Sequence, residues 1–151
     1  MTINGKQDVG VSYNIAANGE SFQLERVDNE KDLGFLIDSR LNFENHINKT
    51  VKKANKIVGV IKRNFKDLNV KTFVLLYKSM IRSHLEYAQT VWSPYKQKHV
   101  EALEAVQRRA TKILPCMKKL SYSDRLKKLA LPILTYQRLT EDIIETYKIV
   151  H

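Results

Sequence analysis

A chain of 151 residues, 43% hydrophobic and 9% aromatic, is of single-domain size and apolar enough to bury a core, which excludes wholesale disorder. Its net charge of +10 is unevenly placed: residues 1–45 hold four Lys/Arg against eight Asp/Glu, net −4, and residues 46–151 hold twenty-two against eight, net +14. So basic a section points to nucleic acid, an anionic membrane or an acidic protein, in that order. The opening "MTINGKQDVG" has no apolar targeting stretch, and apolar runs such as "FVLL" and "IVGVI" are far too short to span a bilayer, so a soluble chain with no membrane partner is expected. A single cysteine, Cys116, cannot close an intrachain disulfide and fits an intracellular setting, nuclear or cytoplasmic.

The first forty or so residues read as strands. "VSYNIA" and "ESFQLERV" flank Asn18-Gly19, a dipeptide suited to the positive φ angles of a tight hairpin, and "DLGFLID" supplies a third strand. A sheet this small needs helices or a larger sheet to cover its apolar face. From Phe43 the period changes. Phe43, Ile47, Val51, Ala54, Ile57 or Val58, Ile61 and Phe65 share one face of a long helix, with Lys49, Lys52, Lys53, Lys56 and Arg63 opposite. "VKTFVLLYKSMIRSHLEYA" is a second helix, with Phe73, Tyr77, Met80 or Ile81, and Leu85 turned inward. Pro94 breaks the chain in "TVWSPY", so a third helix starts near residues 96–99 and runs to Pro115. In it Leu103, Val106, Ala110 and Ile113 form an apolar stripe, while Arg108, Arg109 and Lys112 gather away from it with Glu104 as the nearby acid. Ser121 and Asp124 resemble a capping box for a short helix through Ala130. Pro132 suits the first turn of a last helix carrying Ile133, Tyr136 or Gln137, Leu139 or Thr140, Ile143, Ile144, Tyr147 and Val150.

The fold class is therefore α+β, mostly α: a small antiparallel β-hairpin or three-stranded sheet over residues 1–42, then a four- to five-helix bundle over 43–151. Cationic rows recur on separate helices, and phosphate backbones are their natural partner, contacted with little regard to base sequence. Whether the rows merge depends on how the helices cross. Trp92, in its inter-helix turn with Tyr87 and Tyr95, is read as plugging the end of the core rather than stacking on bases. His46, His84, His99 and His151 lie far apart without cysteine companions, which argues against zinc, and His84 reads as a packed or capping side chain. No phosphate-binding glycine loop, Gly-x-Ser-x-Gly elbow or His-Glu-x-x-His appears, and Glu141-Asp142 does not make a two-metal site.

The order of the motifs is more specific than any one of them. "EKDLGFLIDSRLNFENHI", "KKANKIVGVIKRNF", "LYKSMIRSHLEYAQTVWSP", "LEAVQRRATKILP", "SYSDRLKKLAL" and "DIIETYKI" follow one another as in the C-terminal part of reverse transcriptases from jockey-like, LINE-type non-LTR retrotransposons. The resemblance spans roughly residues 9–151. It implies that the hairpin and the Lys31-Asp32-Leu33-Gly34 strand are the end of a polymerase palm, and that the helices are the thumb that grips template-primer duplex. The family's aromatic-x-Asp-Asp turn, which holds two magnesium ions in the complete polymerase, occurs nowhere in this sequence. Where relatives often carry Arg-Gly-Asp this chain has Thr140-Glu141-Asp142, and it reads as a piece shortened at both ends.

The expectation is thus a non-catalytic fragment with no cofactor of its own. It grips RNA–DNA hybrid or duplex nucleic acid through Lys49, Lys52, Lys53, Lys56, Lys62, Arg63, Arg108, Arg109 and Lys112, and self-associates through the exposed sheet remnant. The alternative is a helical protein-interaction or structural module in which these charges only solubilise the helices.

Overall fold

The computed structural model describes residues 13–17, 19–25 and 27–150. It is α+β and mostly helical. Strands β1 (Asn14–Ala17), β2 (Glu20–Gln23), β3 (Asn29–Asp32) and β4 (Phe35–Asp38) precede helices α1 (Glu44–Asn64), α2 (Val70–Leu76), α3 (Ser83–Glu86), α4 (Gln89–Trp92), α5 (Gln97–Ala110), α6 (Tyr122–Leu129) and α7 (Leu134–Val150). The chain divides into two compact units, residues 1–46 and residues 47–151.

In the first unit the strands form two separate antiparallel hairpins in place of one three-stranded sheet. β1 pairs with β2 so that Ile15 faces Phe22, and Gly19 takes φ +84°; Asn18 of the expected turn lies outside the described residues. "DLGFLID" is not one strand. Its Leu33 and Gly34 adopt φ 44° and 93°, folding Asp32 back onto Phe35 in a two-residue turn of the kind that matches strand twist. The strand that sequence patterning overlooks is β3: its residues Asn-Glu-Lys-Asp are all exposed and carry no apolar alternation, so only backbone pairing defines it. After β4, the Asp38 carboxylate accepts the backbone N–H groups of Arg40 (3.0 Å), Asn42 (3.1 Å) and Phe43 (2.6 Å), holding a loop in which Leu41 and Phe43 are both left-handed. His46 accepts the Leu36 N–H on Nδ1 at 3.3 Å and meets the Phe35 ring edge-on, tying the start of α1 to β4.

In the helical unit α1 buries Ile47, Thr50, Ala54, Val58 and Ile61, whereas Phe65 lies just past the helix end and is exposed. α2 is capped by the Asn69 side chain, which accepts the Thr72 N–H at 2.8 Å. It runs on through a π-helical segment, Tyr77–Arg82, into α3. The π segment has a sequence cause. Phe73, Tyr77, Ile81 and Leu85 recur every fourth residue, a spacing that drifts around a regular α-helix; one wider turn keeps them aligned, and all four are at most 1% exposed while Met80 faces solvent. Trp92 is likewise buried, its Nε1–H donating to the Tyr87 carbonyl at 2.7 Å, while Tyr87 and Tyr95 are exposed.

α5 stops at Ala110 rather than Pro115, because the chain tightens into i to i+3 bonds at Lys112 and Ile113 ahead of Leu114-Pro115. Ser121 caps α6 as the sequence suggests, accepting the Asp124 N–H at 3.2 Å. α7 starts at Leu134, two residues beyond Pro132, whose carbonyl instead accepts Gln107 Nε2 at 2.8 Å. On α7 Gln137, not Tyr136, turns inward, and Ile143, Ile144 and Val150 remain exposed.

Candidate nucleic-acid interface

All nine cationic residues singled out by the sequence are exposed. Helix geometry sorts those on α1. With the buried stripe through Ala54, Val58 and Ile61 facing inward, steps of about 100° per residue put Lys49, Lys52, Lys56 and Arg63 on the outward face. Asn55 and Lys62 lie on one flank and Lys53 on the other. Lys53 looks toward α3: its charge, after burial, is the second cause holding the His84 imidazole below the ordinary histidine range.

The Asn55 flank is where α1 meets α5. Arg109 Nη1 donates to Asn55 Oδ1, so a guanidinium of the α5 row is held at the α1 flank beside the lysine face. Gly59, one turn on, is exposed, and a Cβ there would meet nothing within 4 Å, so this flank is open.

Arg108 is held by different means. Its guanidinium carbon stands 5.1 Å from the centroid of the Tyr122 ring, and that of Arg125 stands 5.6 Å from the same ring. The Tyr122 hydroxyl donates to buried Glu104, and burial together with that bond pushes the phenol well above its usual range. The acid expected to offset Arg108 therefore acts through a tyrosine. Beneath this layer Tyr77 donates to Gln107 Oε1 at 2.7 Å, and buried Arg138 is pulled down from the ordinary arginine range by desolvation, against the opposing fields of Glu104 and Glu86. Arg125 Nε and Nη1 and one Glu104 oxygen are buried without hydrogen-bond partners.

The structure thus brings Arg109 against the flank of α1 at Asn55, leaves Lys49, Lys52, Lys56 and Arg63 on the outward face of α1 with Lys62 on the Asn55 flank and Lys53 on the other, seats Arg108 beside Tyr122, and leaves Lys112 exposed past the end of α5. Sequence reading missed Asn55 and Tyr122. Asn55 was detectable only as the uncharged polar residue inside a lysine run, and Tyr122 gave no signal beyond its place after a capping serine. The surface can offer several cations to an extended polyanion. Among the described residues no group of three or more His, Cys, Asp or Glu is placed to hold a metal ion, and no helix is long and apolar enough to cross a membrane. Compared with known proteins, the chain matches no family model, no curated protein and no solved structure.

Proposed function

We propose that the helical unit binds duplex nucleic acid, RNA–DNA hybrid or DNA, through its phosphates, as a non-catalytic, thumb-like piece of a reverse transcriptase of the non-LTR type it resembles in sequence. The observation that supports this reading is the Arg109–Asn55 contact, which brings the cationic end of α5 to the α1 flank that borders its lysine face. Separate rows on diverging faces would only solubilise the helices; adjoining rows can follow a phosphate backbone, whose charges repeat about every 3.4 Å along each strand. Asn55 adds an amide that can bond a phosphate oxygen when Arg109 turns outward.

The test is fluorescence anisotropy with a labelled RNA–DNA hybrid and two DNA duplexes of unrelated sequence. Reversing three charges together, Lys52→Glu, Lys56→Glu and Arg109→Glu, should weaken all three complexes alike and lower the slope of log affinity against log salt by about three. Lys53→Glu, on the opposite flank, should change affinity much less. Equal affinity in the triple variant and the unaltered chain would remove the assignment in favour of a module with no nucleic-acid role.

A further inference from the structure

α1 holds one feature that its cationic rows leave unexplained, a glycine in the middle of their face. Gly59 is exposed, has no positive φ and meets no neighbour that a side chain would strike, so nothing in the described chain requires it. Glycine in a helix interior costs stability relative to an ordinary helix former. The residues three and four positions away, which surround it on the helix surface, are Asn55, Lys56, Lys62 and Arg63. Arg109, donating to Asn55, brings a further cation to the same border. The missing side chain therefore leaves a gap ringed by four cations and an amide. These charges are not spent on acids of the chain: among the described residues Lys56, Lys62, Arg63 and Arg109 form no ion pair. The acid of α1, Glu44, stands about four turns away at the other end of the helix.

We infer that Gly59 is the floor of a phosphate seat: one phosphodiester of a bound duplex lies in the gap where a side chain would project, ringed by Lys56, Lys62, Arg63 and Arg109. This seat rests on the nucleic-acid reading above and adds to it the point where strand and helix come closest. Without a Cβ in the way a phosphate group approaches the helix surface more nearly, and its attraction to each surrounding cation grows as the distance shortens. A duplex is favoured over a lipid headgroup because the cations continue along the outward face through Lys52 and Lys49, a row suited to successive phosphates of one strand.

The decisive experiment measures anisotropy of the labelled RNA–DNA hybrid and DNA duplexes with full-length variants at this one position. Gly59→Leu fills the gap without adding charge and should weaken every complex by about tenfold, the loss of one charge-assisted contact. Leucine is the better helix former and the space is open, so a thermal midpoint at or above that of the unaltered chain separates this loss from unfolding. Gly59→Lys adds a charge while filling the same gap. A diffuse cationic field would bind duplex more tightly for it, whereas a seat that needs the gap should bind no tighter than the unaltered chain. Unchanged affinity in Gly59→Leu, or tighter binding by Gly59→Lys, overturns the seat and leaves the interface standing if the Lys52, Lys56 and Arg109 reversals still weaken binding. If those reversals also change nothing, the nucleic-acid reading fails together with the seat. Pelleting with phosphatidylserine vesicles that Gly59→Leu abolishes, while duplex affinity holds, overturns it too, in favour of a lipid headgroup.

Discussion

Single side chains decide which lysines belong to the candidate interface. Lys53 differs from Lys52 by one position, yet a step of about 100° sends it to the flank facing His84. That placement has a titration signature. Burial first, then the Lys53 ammonium, lower the His84 imidazole from its ordinary 6.5. A base depressed in the folded state contributes stability that is fully present above its unfolded value and is lost as pH falls toward the folded one. Replacing Lys53 by glutamate substitutes an attractive charge for a repulsive one. An NMR titration of the His84 ring should therefore show its pKa raised in Lys53→Glu, and unfolding curves should fall less steeply between about pH 7 and 5. An unmoved titration would mean the two side chains do not share a flank.

Elements show where local rules hold and where packing overrules them. α1 is long and strongly periodic, but Gly59 sits in its interior without a positive φ and without a neighbour that a methyl group would strike. Glycine there costs helix stability with no packing return, so Gly59→Ala should stabilise the chain by about 0.5–1 kcal/mol, read as a rise in thermal midpoint. The same variant probes the interface: if the open flank at Gly59 admits a phosphate, duplex affinity should fall while stability rises. The α2–α3 segment shows the opposite balance, since its core residues at every fourth position are kept in line by backbone that leaves the regular α pattern. Between β3 and β4 the Leu33-Gly34 turn overrides the apolar pattern of "DLGFLID", because a left-handed pair cannot continue a strand.

On the scale of the whole molecule charge is the dominant property. If about six phosphates are neutralised, affinity for duplex should drop roughly a thousandfold or more between about 50 and 200 mM salt, by counterion release. A salt series on the full chain measures this directly, and a flat response would show that the +10 charge serves solubility alone.

The sequence by itself determined the fold class, the helical stripes at Phe73–Leu85 and Leu103–Ala110, the Ser121 cap and the exposure of every lysine in the cationic rows. The Leu103–Ala110 stripe and the exposure of the lysines follow from local spacing, since a regular helix repeats every 3.6 residues; the every-fourth-residue stripe at Phe73–Leu85 is apolar by sequence but is held in line by the π-helical segment. Apolar patterning did not reveal β3, because backbone pairing of Asn29–Asp32 leaves no apolar trace; the strand that the resemblance implies at Lys31–Gly34 overlaps only its second half and runs into the Leu33-Gly34 turn. Nor could it say that Ile143 and Val150 face solvent: periodicity shows that a face is apolar, not whether anything covers it. The joining of Arg109 to Asn55 and the seating of Arg108 on Tyr122 were decided by how helices distant in sequence cross, and only the tertiary structure fixes that.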